Sequence, residues 1–547
     1  ASSVRYECRH VPKPCNFHMC TMCFNLGPGE GGVIQTASLG ELPDVPQRAT
    51  SSREFPVKPV EAPPPPQVSA SPAPVGNGRN LPPRLAAAGR DFRLQRDADA
   101  KEAWGRFAAQ AAAPTGGRFG GTGSELFKAA QQAAQHLHFL ELTVMSQTEL
   151  FAEQDSRVKD RCLELYSPLA GIPAEVKSAL IAAACKVPQA ERSLGSLVGM
   201  AVGDALGAPF EFLDAVDVEG SSGSMFSLKK FKGCGAKNKF KVAPGQWTDD
   251  TSMGLCLADS LLARGFYDGS DARVRFHNWW FRGYNNAFGN DSRIGSVGLG
   301  SNVAKSLRAM TPGKKPSPKY EAKSQDAGNG TIMRLAAMPI FYAEDPSEAA
   351  RMSAASSSAT HPGPIAAAAA AFLGFAISTA IQQTRASSAR AFLDAVVEDF
   401  TARGLPGAGE CRELQRLLRS AEPAGSKEEC WNWRAPRLQV EASLDSRGEF
   451  YNGYPCTANY FGSYCMDGLA VALWSFYNTT GFAEAIVRCT NFLGDADTNA
   501  AICGQLAGAF YGYGAIDRRW IDKLERWDNS ETACRAALLC VRQPALC

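Results

Sequence analysis

The chain has 547 residues, and at about 150 residues per domain this length predicts roughly two to four domains. Its 57 Lys and Arg residues nearly balance its 55 Asp and Glu residues, so the formal net charge is +2. This charge indicates neither a basic nucleic-acid-binding field nor an acidic tail. Hydrophobic residues make up 45% of the chain, an ordinary share for a globular protein, which excludes disorder throughout.

The first 25 residues are rich in cysteine and histidine. Two readings stay open: a small zinc site, or a metal-free tail. The spacing Cys20-x2-Cys23 is found in zinc knuckles, and a zinc ion would need four ligands. The candidate zinc ligands are Cys8, Cys15, Cys20 and Cys23, with His10 and His18 nearby. Few basic residues flank this segment, which argues against nucleic acid as a partner.

The cysteine content and the first residues of the chain indicate the cellular compartment in which we expect the protein. The 17 cysteines are scattered and odd in number, which favours free thiols over a disulfide framework. We therefore expect an intracellular, reducing compartment, the cytoplasm or the nucleus. No signal peptide is recognisable, and the chain begins at Ala1 without a methionine, as a processed or incomplete product would.

Composition divides the remaining chain into three regions. Residues 26–90 are rich in Pro, Gly and Ser and have almost no aromatic side chains. Such a segment cannot bury enough apolar surface to offset its ordering entropy, so we predict a disordered linker. For residues 91–190 we predict a short helical region of unknown role. Residues 191–547 hold nearly all patterned apolar segments and predict a compact multi-helix domain.

Periodicity in this last region predicts an all-α fold. Residues 482–489 place apolar side chains at i, i+3, i+4 and i+7, which is one face of a helix. Residues 253–261 repeat apolar side chains every four positions and are followed by Gly265, a suitable C-cap. The alanine-rich run from Ile365 to Ile381 falls short of the ~20 strongly apolar residues of a membrane span. It predicts a buried helix, and we expect no membrane partner.

Glycines recur every four residues in two apolar helical segments. They are Gly195, Gly199, Gly203 and Gly207 in the first, and Gly504, Gly508 and Gly512 in the second. Each glycine in a helix costs about 1 kcal/mol relative to alanine. The repetition therefore predicts a close approach between crossing helices.

Acidic residues accompanied by threonine open two apolar helices. The two sets are Thr248, Asp249 and Asp250, and Asp495, Asp497 and Thr498; Asp204 and Glu211 lie beside the first glycine series. One helix cap needs only one acid. The surplus is what a divalent cation with oxygen ligands would require. From these residues alone, a two-magnesium site, plain helix caps and a calcium site all stay open.

Five segments carry a resemblance to a known family. They are Gly199–Glu211, Trp247–Met253, Gly328–Arg334, Thr360–Pro362 and Gly494–Ile502. In this order they resemble the ADP-ribosylglycohydrolase family, which includes the dinitrogen reductase-activating glycohydrolase and the ADP-ribosyl-arginine and ADP-ribosyl-serine hydrolases. The resemblance runs from about Leu194 to the region around Trp520 and Trp527, so it covers only the predicted last domain.

The resemblance implies an all-α fold around two magnesium ions. The residues matching the family's metal ligands are Thr248, Asp249, Asp250, Asp495, Asp497 and Thr498, with Asp497 as the bridge. The residues matching its catalytic groups are Glu211, Asp249 and Asp495. The residues matching its substrate contacts are Asp204, Gly328, Asn329, Gly330 and His361. Without the resemblance, Glu211 also fits a capping acid and His361 an ordinary loop histidine.

Two departures from the family pattern stand out. Many bacterial members carry Asp-Ile-Gly ahead of the glycine loop, with the aspartate linked to removal of ADP-ribose from arginine. Here the counterpart reads Ser292-Arg293-Ile294-Gly295, preceded by Asp291, which puts arginine-directed activity in doubt. Leu493 replaces the first glycine of the usual Gly-Gly-Asp, a milder change that we expect to leave metal binding intact.

The leading functional hypothesis implied by the resemblance is a magnesium-dependent hydrolase. It would cleave the glycosidic bond at C1 of the distal ribose of an ADP-ribosylated protein or a small ADP-ribosyl compound. One alternative is a non-catalytic ADP-ribose-binding or structural member with an N-terminal zinc or adaptor segment. Another is an RNA-binding zinc protein with a vestigial domain. The complete set of metal ligands together with Glu211 favours the enzyme.

Overall fold

A computed structural model describes most of the last two regions. The described residues are 124–137, 142, 144, 167–218, 238–288, 295–322, 327–384, 387–452, 454–455 and 460–542. The predicted zinc segment at 1–25, the predicted linker at 26–90 and residues 291–294 lie outside them.

The described part of the chain is built almost entirely from helices. The helices are α1 (Glu125–Ala134), α2 (Ala174–Ala184), α3 (Pro188–Gly207), α4 (Asp249–Arg264), α5 (Gly269–Arg282), α6 (Ser301–Arg308), α7 (Ala337–Phe341), α8 (Pro346–Ser357), α9 (Pro364–Gln382), α10 (Ala389–Ala402), α11 (Arg412–Arg419), α12 (Val440–Arg447), α13 (Cys465–Tyr477), α14 (Phe482–Asn491), α15 (Ala496–Tyr511), α16 (Arg518–Asp528) and α17 (Glu531–Val541). Strands β1 (Phe450–Tyr451) and β2 (Tyr454–Pro455) form one antiparallel pair. The all-α prediction is confirmed.

Helices α3 and α15 cross in contact at the centre of the fold, because the glycine series face each other. A side chain at Gly199 would collide with the backbone of Gly504, and one at Gly195 with the backbone of Gly508. The helices run antiparallel, so the C-terminal end of α3 lies against the N-terminal end of α15. The close approach predicted from the glycine spacing is confirmed.

Helix α9 confirms the predicted buried helix in the alanine-rich run, since most of its side chains are buried. By length and composition alone, α9 and the segment Pro188–Phe210 would each suffice to cross a membrane. In the fold, 78% and 89% of their apolar windows are buried. Both are therefore core helices here.

Helices α1 and α2 share a hydrophobic core with the C-terminal helices. Leu126 and Leu180 are buried in the same core as Leu538. The Lys177 ammonium lies 3.0 Å from the Glu531 carboxylate, with both side chains largely buried. Helix α3 runs across the composition boundary at residue 190. The limits 191–547 of the predicted multi-helix domain stay a prediction, but the described part of 91–190 packs on that domain.

This packing predicts the effect of truncation. We expect residues 191–547 to unfold at a lower temperature than residues 124–547. Truncation removes Leu126 and Leu180 from the shared core. It also removes Lys177, one of the two cations paired with Glu531, while the other, Arg535, stays 3.6 Å from that carboxylate. Thermal unfolding of both fragments measures the difference, with Lys177→Met in the full chain as the matched point variant. Equal midpoints would contradict this coupling.

The helix crossing generates a second prediction. In Gly504→Ala, the new Cβ would lie 2.7 Å from the Gly199 carbonyl carbon, a backbone atom that a rotamer change cannot move. We expect the free energy of unfolding to fall by about 1–3 kcal/mol, although alanine favours helices. Urea unfolding measures the change. The control is Gly409→Ala, where nothing lies within 4 Å of the added atom. A Gly504→Ala protein as stable as the control would contradict the close crossing.

Candidate metal and substrate site

The N-termini of α4 and α15 meet beside the C-terminal end of α3. Thr248 is the N-cap of α4 and Asp495 is the N-cap of α15. The first turns of these helices therefore carry the predicted ligands that follow each cap. Negative charge is stabilised near a helix N-terminus, which favours carboxylates there.

The carboxylates form two overlapping groups. Oxygens of Asp204, Asp250 and Asp497 all lie within 4.8 Å of one another, and so do oxygens of Glu211, Asp495 and Asp497. Asp497 belongs to both groups, which is the position that a bridging ligand would occupy. All five residues are buried.

Asp204 lies beneath the first turn of α4 and is fully buried. Its carboxylate accepts hydrogen bonds of 2.7–3.1 Å from the backbone N–H and the hydroxyl of both Thr248 and Thr251. These contacts orient the start of α4. The substrate contact expected for Asp204 stays a prediction. The sequence analysis assigned no role to Thr251, which the structure places as a hydrogen-bond donor to Asp204.

Thr248, Asp250, Asp497 and Thr498 lie side by side. The Thr248 hydroxyl is 3.1 Å from Asp250 Oδ2 and 3.4 Å from Asp497 Oδ2. The backbone N–H of Thr498 donates to Asp497 Oδ1 at 2.9 Å. Asp250 Oδ1 is buried and has no hydrogen-bond partner among the described residues. A buried carboxylate oxygen left in this way is suited to a cation.

Glu211 reaches the cluster from the turn that follows α3. Its Oε1 accepts a 3.1 Å hydrogen bond from the Tyr460 hydroxyl, and its side chain is buried. The next residue, Phe212, stacks on the Tyr460 ring with a centroid distance of 5.5 Å. Tyr460 precedes α13 in a segment without acids, so no sequence signal marked it as a partner of Glu211.

Asp249 is the first residue of α4 and lies against Gly298. A side chain at Gly298 would collide with the Asp249 carboxylate, and Gly298 has a φ of +91°, which favours glycine. Asp249 belongs to neither carboxylate group, although its charge helps to raise the pKa of Glu211.

The predicted glycine loop is tied directly to the acids. The Asn329 amide donates to Asp495 Oδ2 at 2.8 Å and to the Gly462 carbonyl at 3.0 Å. The Ser463 hydroxyl also donates to Asp495 Oδ2, at 3.3 Å. Gly328 forms a backbone bridge with Tyr464. The loop between Gly328 and Gly330 thus borders the carboxylate cluster.

His361 packs against the last glycine of this loop. A Cβ at Gly330 would lie 2.8 Å from the His361 ring carbon Cε1. Burial, helped by the charges of Arg334 and Lys305, lowers the pKa of His361 to about 3. The imidazole is therefore neutral at physiological pH.

The electrostatics of the acid cluster favour a cation. Burial is the largest cause that raises the pKa values of Asp249, Asp250, Asp497 and Glu211 above their usual range, and neighbouring carboxylate charges add to it. Burial raises the pKa of Asp204 to about 6. Among the described lysines and arginines, none forms an ion pair with the four clustered aspartates, Asp204, Asp250, Asp495 and Asp497. Hard oxygen donors without a partner cation fit a divalent ion such as Mg²⁺.

A model of the ADP-ribosylglycohydrolase family matches residues 186–545. The ADP-ribosylarginine hydrolase Tri1 of Serratia proteamaculans is 30% identical over 347 residues, covering 62% of this chain and 78% of that protein. The ADP-ribosyl-[dinitrogen reductase] glycohydrolase of Rhodospirillum rubrum is 29% identical, covering 61% and 90%.

More distant matches include a vertebrate protein. The ADP-ribosylhydrolase ARH3 of Bos taurus is 26% identical over 381 residues, covering 66% of this chain and 96% of that protein. A solved chain described as an ADP-ribosylglycohydrolase-related protein complex is 30% identical. It covers 64% of this chain and 97% of its own length, with a TM-score of 0.47.

Proposed function

The chain belongs to the ADP-ribosylglycohydrolase family of hydrolases, and we propose that it hydrolyses the glycosidic bond at C1 of the distal ribose of an ADP-ribosyl adduct, in a magnesium-dependent reaction. The observation that carries this proposal is the pair of buried carboxylate groups that share Asp497. The substrate is an ADP-ribosylated protein or a small ADP-ribosyl compound, as the names of the relatives suggest.

Six residues would hold two magnesium ions, with Asp497 shared between them. They are Thr248, Asp249, Asp250, Asp495, Asp497 and Thr498. When bound, divalent cations offset the carboxylate charges, orient hydroxyl groups and acidify water. Two observations support such a site: among the described residues, Asp250 Oδ1 is buried without a hydrogen-bond partner, and no lysine or arginine forms an ion pair with the four clustered aspartates.

The glycine loop, residues 328–330, would orient the substrate. Asn329 holds this loop against Asp495, so a substrate lying along Gly328 and Gly330 would reach the carboxylates with its sugar end. Glycine residues let a diphosphate come close to backbone N–H groups. The neutral His361 lies beside Gly330 and adds no positive charge of its own.

Glu211 would accept the proton of the attacking water. Water adds to C1 of the distal ribose as the bond to the leaving group breaks, through a state with oxocarbenium character. The Tyr460 hydroxyl fixes one oxygen of Glu211, and burial beside Asp497 raises the pKa of Glu211, which makes its anion a stronger base. Positioned general bases contribute roughly 10²–10⁴-fold to rates.

The alternative is a family member that binds ADP-ribose without cleaving it. Retention of Glu211 beside the complete ligand set favours the enzyme, since binding alone does not require a base. Incubating the full chain with arginine-linked, serine-linked and small ADP-ribosyl substrates, with and without magnesium, tests the two. Release of ADP-ribose only with magnesium supports the proposal, and binding without release from any substrate supports the alternative.

Two further proposals concern the rest of the chain. We propose a reducing compartment, supported by the nine described cysteines, which are free thiols and are buried except for Cys185. Zinc at Cys8, Cys15, Cys20 and Cys23 is also a proposal, to be tested by metal analysis of the purified chain. Neither proposal bears on the hydrolytic site.

Replacement of Asp497 tests the metal centre. Asp497→Ala removes the carboxylate shared by both groups, so we expect magnesium binding to weaken strongly and hydrolysis to fall by orders of magnitude. Titration calorimetry with magnesium alone, beside the hydrolysis assay, measures both effects. The control is Asp522→Ala, which removes an exposed acid paired with Arg518 and should change neither. Near-normal turnover of Asp497→Ala would sink the binuclear proposal.

Replacement of Glu211 separates the base from the metal site. Glu211→Gln keeps the size and the hydrogen bonding of the side chain but removes the proton acceptor. We expect ADP-ribose to bind with similar affinity while turnover falls by roughly 10²–10⁴. Glu398→Gln, at an exposed acid of α10, is the control. If Glu211→Gln turned over normally, the base would have to be one of the aspartates.

A further inference from the structure

Three buried side chains behind the glycine loop form a hydrogen-bonded chain. The Arg334 guanidinium donates through one terminal nitrogen to the Thr360 hydroxyl at 2.7 Å. The same hydroxyl lies 2.8 Å from His361 Nδ1. The exposed fractions of Arg334, Thr360 and His361 are 1%, 0% and 2%.

The direction of the hydrogen bonds follows from the donor chemistry. Arginine has only donors, and burial lowers its pKa here only to about 10, so Arg334 is a cation at neutral pH. The Thr360 oxygen must therefore accept from Arg334. Its single hydrogen then needs an acceptor, and His361 Nδ1 is the acceptor that the described residues offer. Nδ1 is thereby left without a proton.

A neutral imidazole carries its one proton on the other nitrogen. The low pKa of His361 excludes the doubly protonated ring at physiological pH. His361 is consequently the tautomer with Nε2–H, which makes Nε2 a hydrogen-bond donor. None of the described residues accepts a hydrogen bond from Nε2.

The free donor faces the glycine loop. Nε2 lies 3.3 Å from the position that a Cβ on Gly330 would occupy. The positive charges of Arg334 and Lys305 both act on this ring. An N–H donor near two cationic side chains suits an oxygen acceptor, above all an anionic one.

We propose that Thr360, held by Arg334, is a positioning residue that fixes His361 as an Nε2–H donor to an acceptor oxygen of the substrate at Gly330. Neither Thr360 nor Arg334 needs to touch the substrate. The identity of the substrate rests on the proposed function, whereas the tautomer is a property of the protein alone. The two statements can therefore fail separately.

The first test measures the tautomer in the wild-type full chain. With ¹⁵N-labelled histidine, long-range ¹H–¹⁵N spectra distinguish a protonated ring nitrogen from an unprotonated one. His361 is one of six histidines, and its signals are assigned by their loss in His361→Gln. We expect a protonated Nε2 and an unprotonated Nδ1. Protonation at Nδ1 would overturn the proposal without any further variant.

The second test uses Thr360→Val, with Thr360→Ser as the matched control. Valine keeps the shape but removes the hydroxyl, so we expect loss of the fixed tautomer and roughly ten-fold weaker ADP-ribose binding. Serine keeps the hydroxyl and should restore both. Calorimetry with ADP-ribose and with ADP locates the acceptor: weakening for both ligands indicates a phosphoryl oxygen, and weakening for ADP-ribose alone indicates the distal ribose. Either pattern supports the positioning role.

Two results would overturn it. One is unchanged affinity for both ligands in a folded Thr360→Val protein. The other is an equal loss in Thr360→Ser, because serine retains the hydroxyl. If the wild-type chain neither bound nor hydrolysed ADP-ribosyl compounds, the proposed function would fail, and the wild-type spectra would still decide whether Thr360 fixes the His361 tautomer.

Discussion

The backbone contact between α3 and α15 is the constraint on which the site depends. At Gly207, a side chain would collide with the backbone of Ala496 and Asp497, which shows how closely the two helix ends approach. This approach places Asp204, near the end of α3, beside Asp497, in the first turn of α15. Glycine weakens each helix by about 1 kcal/mol per position, and the carboxylates of distant segments are brought together in return.

Gathering these acids away from water opposes folding unless their charge is compensated. The first turns of α4 and α15 supply part of the compensation through N–H groups, such as those of Thr248 and Thr251 that bind Asp204. The hydrogen bonds leave Asp250 Oδ1 without a partner among the described residues. A protein built this way is expected to gain stability from a divalent cation, because binding to the folded state alone shifts the folding equilibrium.

Patterns that are local in sequence predicted the fold and the acid segments that it brings together, whereas the roles of the individual site residues stay predictions. The all-α class, the helix crossing and the acid segments follow from periodicity, glycine spacing and caps within short windows. Contacts between distant segments do not. Tyr460 bonds Glu211 from 249 positions away, and nothing near Tyr460 announces that contact. Asp204 shows a second limit of prediction from sequence. An aspartate on a helix gives the same sequence pattern whether its carboxylate contacts a substrate or accepts hydrogen bonds from the first turn of a neighbouring helix.

Two residues with unfavourable backbone conformations lie on either side of the carboxylate cluster and connect the fold to the site. Phe212 and Leu493 have φ values of +68° and +61°, where side chains other than glycine are disfavoured by about 1–2 kcal/mol. Paired backbone hydrogen bonds join the two segments: the N–H of Phe212 donates to the carbonyl of Gly494, and the N–H of Gly494 donates to the carbonyl of Leu213. Leu493 is also buried, so packing helps to hold a conformation that the usual glycine would adopt freely. The paired hydrogen bonds thus join the segment that carries Glu211 to the segment that carries Asp495.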